Sequence, residues 1–135
     1  MASIFSKIVA REIPAYILAE NEHFIAFLDA FPTTKGHTLV IPKKEIDYIF
    51  DLEDESYLEL MAFSKKVALA IEKVIPCKRI GIAVVGLEVP HAHVHLIPLN
   101  QMSDMDFSKK ISLTPEEFSE IADAIRSEYE ASLKN

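Results

Sequence analysis

The sequence predicts an α+β fold with a mainly antiparallel sheet, one long central helix and a C-terminal helix. Apolar residues recur at helical spacing between residues 51 and 75. Short apolar runs before and after this segment are joined by connections that suit antiparallel neighbours. The run Thr114–Glu117 has a capping threonine, a proline in the first turn and a glutamate three residues after the cap, which together predict a helix start. Strands, a helix, more strands and a final helix are typical of the α+β class.

The remaining elements follow from shorter patterns. Five apolar runs are predicted as strands, the first two as a hairpin, at residues 16–20, 23–28, 37–41, 79–85 and 91–99. Pro42 should end the third strand, because proline has no N–H for the next ladder bond. Two helices flank the strands, at residues 4–10 with Ser3 as a possible cap and at about 115–133. No repeat or Gly/Ser linker interrupts the chain, so residues 1–135 are predicted to form a single domain.

Composition limits the classes of partner. The chain has 135 residues, half of them apolar, and a net charge of −7, which opposes binding to a polyanion such as nucleic acid. Its lysines form only isolated pairs, at residues 43–44, 65–66 and 109–110, which we interpret as solvated surface. A single nucleotide remains possible, because a few donors suffice for one phosphate. Cys77 is the only cysteine, and no apolar run is long enough to span a bilayer, so we expect a cytoplasmic protein without a membrane partner.

The predicted helix at residues 51–75 is unusually apolar. Acidic residues crowd its start and lysines fall later, as the helix dipole favours. Its apolar face is too wide for a helix that covers one sheet, because the helical stripe is extended by Leu58, Ala62, Phe63 and Leu69. The pattern predicts burial on two sides, by the sheet and by a partner subunit.

The most informative motif is the alternating histidine run His91, His93 and His95. On a strand these three side chains would point the same way, about 7 Å apart. Histidines on an exposed sheet face are one interpretation. A metal site is a second, with Glu88 as a further ligand, because two alternating imidazoles can be aimed at one ion. The third is nucleophilic catalysis at phosphorus by a neutral imidazole, and spacing alone leaves the last two interpretations close.

Four segments together carry a family resemblance. They extend from Ile4 to Pro98 and comprise Ile4–Ile8 with Glu12–Pro14, Gly36–Lys43, Gly86–Pro90 and His91–Ile97. The chain resembles the histidine-triad (HIT) family, near its Hint-like branch. The resemblance implies a homodimeric hydrolase or transferase without a cofactor. Its substrate would be a purine nucleotide or nucleoside phosphoramidate, or a related nucleoside phosphate ester, and a nucleotidyl-histidine would form as a covalent intermediate.

The resemblance also implies roles for individual residues. His93 would be the nucleophile, His95 would contact the phosphate oxygens, and His91 and His37 would orient the site. Asp29 would hold the ribose hydroxyls. The base pocket would consist of Phe5, Ile8, Ile13, Leu18, Phe27, Ala30 and Leu39. Further nucleotide contacts would come from Gly86, Leu87 and Glu88.

Two departures from the family pattern bear on function. Leu87 stands where the family usually has glutamine, and the Asn-Gly turn before it is missing, so a nucleotide-binding adaptor with little turnover is the alternative to an enzyme. Many bacterial relatives have a Cys-x-x-Cys that holds structural zinc. Here Ser3 and Ser6 take the cysteine positions, and Glu45 stands where such relatives often supply a histidine. Hydroxyls are poor zinc ligands, so we expect no metal.

Overall fold

The computed structural model describes residues 2–134 and contains one five-stranded sheet. Its order is β1-β2-β3-β5-β4, and every neighbouring pair is antiparallel. The strands are β1 (Ile17–Glu20), β2 (Phe24–Leu28), β3 (Thr38–Pro42), β4 (Arg79–Ala83) and β5 (Val94–Leu99). The α+β class and the antiparallel pairing predicted from sequence are confirmed.

Three α-helices accompany the sheet, α1 (Ile4–Val9), α2 (Asp54–Val74) and α3 (Pro115–Ser132), with 3-10 helices at Ile49–Asp51 and Met102–Met105. Ser3 caps α1 by accepting the Ser6 N–H, and Thr114 and Glu117 form the reciprocal capping box of α3. Helix α2 starts three residues later than predicted, because residues 49–51 form a separate 3-10 turn. None of the helices within residues 2–134 has the length and apolar character needed to cross a membrane.

The strand boundaries differ from the prediction at several points. Strands β1, β2 and β3 each begin one residue later than predicted, and β4 ends at Ala83 rather than at residue 85. Strand β3 includes Pro42, which pairs with Phe24 on the side where no proline N–H is needed. Strand β5 begins at Val94 rather than at residue 91. The Ala92 N–H donates to the carbonyl of Ile46, outside the sheet. Two of the three clustered histidines therefore lie in the segment that leads into β5, and only His95 lies on the strand.

The sheet separates two apolar clusters. The larger one fills the space between one sheet face and the helices α2 and α3, and it includes Leu18 and Val40. The smaller one lies between the opposite face and α1, and it contains Phe5, Ile8, Ile25, Phe27, Leu39 and Ile41. Alternation along β2 and β3 produces this division, since successive side chains point to opposite faces.

The predicted place of Leu18 in the base pocket is wrong. Leu18 is fully buried in the larger cluster, on the α2 and α3 side. The pairing of β1 with β2 is irregular between Ile17 and Ala19, so Leu18 and Ala19 both join that cluster, while Ile17 packs against the smaller one. A one-residue change of register transfers a side chain to the other face.

Candidate active site

Four buried histidines lie along the paired strands β3 and β5, from His37 just before β3 to His91 beside Pro42 at its end. Each of His37, His91, His93 and His95 has at most 7% of its surface exposed. The ring centroids of His93 and His95 are 5.0 Å apart, and those of His37 and His95 are 5.2 Å apart. His95 thus contacts both His37 and His93, and His91 is joined to the His93 ring through its backbone carbonyl.

His91 is held by hydrogen bonds on both ring nitrogens. Its Nε2 is 2.7 Å from the carbonyl oxygen of Pro42, and its Nδ1 is 2.8 Å from the Ser3 hydroxyl oxygen. A carbonyl oxygen can only accept, so Nε2 carries the proton and Nδ1 accepts from the Ser3 hydroxyl. Burial lowers the pKa of His91 and keeps this neutral form. His91 thus joins the start of α1 to the end of β3.

A hydrogen bond to the backbone at Nδ1 fixes the ring of His93. Its Nδ1 is 2.8 Å from the carbonyl oxygen of His91, so Nδ1 donates, and in the neutral ring Nε2 keeps an unshared electron pair. The Phe5 ring packs edge-on against the imidazole, with centroids 5.1 Å apart. A neutral imidazole with an available Nε2 is a competent nucleophile.

A chain of hydrogen bonds sets the protonation of His37 and His95. The Thr33 N–H donates to Nδ1 of His37 over 3.0 Å, so the His37 proton lies on Nε2. That Nε2 is 2.9 Å from Nδ1 of His95 and donates to it, which leaves His95 with its proton on Nε2. Burial is the main cause that lowers the pKa of His37 to about 3 and that of His95 to about 4. His95 is therefore a neutral hydrogen-bond donor.

Asp29 lies beside this histidine pair, directly after β2. Its Oδ1 accepts the Phe31 N–H over 2.8 Å, and its Oδ2 is 3.5 Å from Nε2 of His37. Burial raises the pKa of the Asp29 carboxyl. The Asp29 side chain is 14% exposed, so the carboxylate remains accessible at the edge of the histidine site.

Most of the predicted base pocket shares one sheet face. Four of its residues, Phe5, Ile8, Phe27 and Leu39, belong to the smaller apolar cluster, and Ile13 packs against it. Phe5 connects this cluster to His93 by direct ring contact. Ala30 is exposed next to Asp29. Leu18, as described above, lies on the other side of the sheet.

Of the three nucleotide-binding residues predicted in the loop before the histidines, only Glu88 lies near Asp29. Glu88 is close enough to Asp29 for its charge to raise the pKa of that carboxyl. Gly86 and Leu87 instead line a separate cavity of about 450 Å³, together with Phe50, Met61 and side chains of β4. Leu87 is 88% exposed. Gly86, which has a φ of +71°, and Leu87 take part in none of the hydrogen bonds and ring contacts of the four histidines within residues 2–134.

Two residues near the site were missed by the sequence analysis. The Phe107 ring lies 4.7 Å from His95 and 6.3 Å from His37, measured between centroids. The Nζ of Lys110 is 5.7 Å from the Phe107 centroid. Lys110 was interpreted as solvated surface from its place in the pair Lys109–Lys110. Nothing in the local pattern relates this segment to the histidines, since the contact is made by chain folding after β5.

The three positions that correspond to zinc ligands in bacterial relatives, Ser3, Ser6 and Glu45, form a hydrogen-bonded group. Glu45 Oε1 accepts the Ser3 N–H over 2.6 Å and the Ser6 hydroxyl over 2.7 Å. These bonds, the Ser3 N–H first, lower the pKa of Glu45 to about 2. The Ser3 hydroxyl continues the network to His91. Direct hydrogen bonds thus join α1, Glu45 and His91.

One other group has the geometry of a metal site. Among residues 2–134, Asp29, His37 and His95 offer ligand atoms that lie within 4.8 Å of one another. The two imidazoles already share a hydrogen bond. A metal ion bound by both imidazoles would have to displace the proton between His37 Nε2 and His95 Nδ1. That the protein binds no metal stays a prediction.

Comparison with known proteins identifies the family. The HIT domain model matches residues 10–102, and the chain belongs to the HIT family. The chain is 42% identical over 100 residues to a protein of Schizosaccharomyces pombe named adenosine 5'-monophosphoramidase, covering 73% of this chain and 74% of that protein.

Solved structures share the whole fold. A Hit-like protein of Bartonella henselae, described as involved in cell-cycle regulation, superposes with a TM-score of 0.81 at 30% identity, covering 93% of this chain and 95% of its own. A zinc-bound histidine triad family protein of Mycobacterium smegmatis also gives a TM-score of 0.81, at 28% identity, covering 99% of this chain and 96% of its own.

Proposed function

We propose that this protein is a nucleoside phosphoramidase and nucleotide hydrolase. Its substrate class is a purine nucleoside phosphoramidate or a related nucleoside phosphate ester. The observation that carries the proposal is the fixed tautomer of His93, whose Nδ1–H is bound by the His91 carbonyl so that Nε2 is free to attack. The name of the Schizosaccharomyces pombe relative supports the same chemistry.

The reaction has two displacement steps. In the first, the Nε2 electron pair of His93 forms a bond to the α-phosphorus, and the bond from phosphorus to the leaving nitrogen or oxygen breaks. The leaving group keeps the bonding electrons and takes a proton from water. In the second, the resulting hydroxide attacks phosphorus, the bond from phosphorus to Nε2 breaks, and the nucleoside monophosphate is released. His93 recovers its free electron pair.

Neighbouring groups stabilise the charge that develops on the phosphate. The Nε2–H of His95 donates to a phosphate oxygen in both steps, because the relay from the Thr33 N–H through His37 leaves that proton in place. The His91 carbonyl stabilises the imidazolium formed when His93 is bonded to phosphorus. The Asp29 carboxylate accepts hydrogen bonds from the ribose hydroxyls. The smaller apolar cluster, which contains Phe5, binds the base.

The alternative is a nucleotide-binding adaptor with little turnover. It is favoured by one observation, that Gly86 and Leu87 line a different cavity and that neither has a polar side chain to offer a phosphate. In that case the nucleotide would bind without forming a covalent intermediate.

Intact-mass spectrometry tests the proposal. On incubation with an adenosine phosphoramidate, the wild-type protein should carry adenylate transiently and release AMP. His93→Ala should form no adduct and should turn over slower by about 1,000-fold or more, since the nucleophile is lost. His23→Ala is the matched control, because His23 is an exposed histidine outside the site. A wild-type rate in His93→Ala would disprove the mechanism, and AMP binding without turnover in the wild type would support the adaptor.

We also propose that the reaction needs no metal ion. The support is that the residues at the positions of the zinc-ligating cysteines hydrogen-bond to one another and to His91. Activity should survive exhaustive chelation. A bound stoichiometric transition metal whose removal abolishes activity would contradict this.

We further propose that two copies associate through α2 and the edge strand β4. The support is a cavity of about 450 Å³ lined mostly by apolar residues of α2, β4 and the segments next to them. Several large apolar side chains have half or more of their surface exposed: Tyr48, Phe50, Val85 and Leu87 line this cavity, and Leu58 and Leu69 lie elsewhere on α2. A patch of this kind on a monomer usually marks an interface.

A further inference from the structure

The backbone around Lys110 is held beside the histidine site, and the Lys110 side chain is exposed. The backbone on either side of it is held, since the Lys109 N–H donates to the Asp106 carbonyl and the Ile111 N–H donates to the Pro32 carbonyl. Pro32 lies three residues after Asp29. The 3-10 segment and the turn that follow β5 therefore return the chain to the mouth of the site.

Phe107 links Lys110 to the imidazoles. Its ring contacts His95, with centroids 4.7 Å apart, and the Lys110 ammonium lies 5.7 Å from the centroid of the same ring. A cation near an aromatic face is attracted by the ring quadrupole, which favours this position of the side chain. The flexible four-carbon stem of lysine allows the ammonium to move from the ring to a ligand bound beside it.

The site described so far contains a carboxylate and neutral imidazoles, so a cation beside it would have a function. The pKa of His37 and of His95 is lowered mainly by burial, so both imidazoles are neutral, and Asp29 adds a negative charge. A nucleotide phosphate would bring further negative charge. Among residues 2–134, Lys110 is the one lysine or arginine whose charge acts on all three of these groups.

We propose that Lys110 is a substrate-binding residue whose ammonium offsets the negative charge of the phosphate at the histidines. The inference rests on the proposed function and deepens it, because it assigns the recognition of the phosphate charge to the segment after β5. The base and ribose would then be recognised independently of Lys110. The site should prefer AMP over adenosine, and Lys110 should account for much of that preference.

Calorimetric titration with AMP and with adenosine tests this. Lys110→Ala should weaken AMP binding by about tenfold at low ionic strength and leave adenosine binding unchanged, because only AMP carries the phosphate. Lys110→Arg should retain most of the affinity. The loss should shrink at high salt, since the ammonium is exposed and its charge is screened. Lys109→Ala is the matched control, because it removes the same charge one residue away.

The outcomes separate this inference from the proposed function. Wild-type protein that binds neither AMP nor adenosine would overturn both. Wild-type protein that prefers AMP, together with a Lys110→Ala variant that keeps that preference, would overturn the role of Lys110 alone. Equal losses of AMP affinity in Lys109→Ala and Lys110→Ala would also overturn it, since they would indicate a general effect of net charge.

Discussion

The Nε2 of His37 lies 2.9 Å from the Nδ1 of His95, and this hydrogen bond joins two buried imidazoles 58 residues apart in the chain. It is the middle link between the Thr33 N–H and the Nε2 proton of His95. The orientation of one neutral histidine is therefore determined by a second histidine and a backbone amide. Several measurable consequences follow from this contact and from its neighbours.

The His37–His95 contact should control the rate of phosphoryl transfer. His37→Ala should lower kcat by roughly tenfold to a hundredfold, as loss of a group that orients an imidazole commonly does. His37→Gln should lose less, because its amide can still donate to His95. Nitrogen-15 NMR of the imidazoles should show the His95 proton on Nε2 in the wild type and on both nitrogens in exchange in His37→Ala. An unchanged His95 tautomer with unchanged kcat would refute the relay.

The same burial makes stability depend on pH. The folded-state pKa of His95, about 4, and that of His37, about 3, lie below the ordinary value of 6.5, so the unfolded chain binds more protons between these limits. The contribution of the two histidines to the free energy of unfolding is therefore complete above pH 6.5. It is lost as the pH is lowered toward about 4 for His95 and toward about 3 for His37. Each histidine adds a slope of up to about 1.4 kcal/mol per pH unit.

Urea unfolding at several pH values measures this slope. His37→Gln should flatten it, because one titrating group is removed, whereas His23→Ala should not, because His23 is exposed. Burial raises the pKa of Asp29, so Asp29 makes the free energy of unfolding fall as the pH rises, opposite to the histidines. This contribution is present in the wild type and in both variants, and it does not affect the comparison. A slope that is identical in His37→Gln and wild type would show that His37 titrates normally.

Asp29 should determine the preference for ribose over deoxyribose. A substrate without the 2′-hydroxyl leaves one carboxylate interaction unmade, at a cost of roughly 1–3 kcal/mol. AMP should therefore bind about tenfold or more tightly than dAMP. Asp29→Ala should remove most of this difference while it spares adduct formation at His93. Equal affinities for AMP and dAMP in the wild type would show that Asp29 does not recognise the ribose. Its hydrogen bond from the Phe31 N–H would then be its role.

Ser3 should act as a positioning residue for the histidines. Its hydroxyl caps α1 and also donates to His91, whose carbonyl fixes His93. Ser3→Ala should cost about 1 kcal/mol of stability and should also lower kcat, with recovery of both in Ser3→Thr. Thr114→Ala is the control, because it removes the cap of α3 without any bond to a histidine. Equal effects of the two alanine variants on kcat would show that Ser3 acts only as a helix cap.

The apolar surface on α2 and β4 should hold two copies together. Sedimentation at micromolar concentration should give twice the mass of one chain. Leu69→Lys or Val85→Lys should produce the monomer, because a charge would be buried at the interface. Met102→Lys should not, since Met102 is 88% exposed and lies outside this surface. A wild-type monomer would contradict the proposal.

Much of this protein could be predicted from short-range sequence features. The capping residues Ser3 and Thr114 and the long apolar helix each depend on neighbours within a few positions, so the sequence alone was sufficient to predict them. The alternating histidines were predicted on one strand, but only His95 lies on β5. The resemblance added His37 and Asp29, and both lie beside His95 in the structure.

The tertiary structure decided the remaining features. Leu18 faces α2 and α3 because the pairing of β1 with β2 is irregular, and such a register change has no signature in a four-residue strand. Phe107 and Lys110 reach the histidines only because the chain returns to the site after β5. The proton positions on His37 and His95 depend on contacts between distant segments. Local spacing determines which side chains share a face of one element, whereas packing between elements determines which atoms meet.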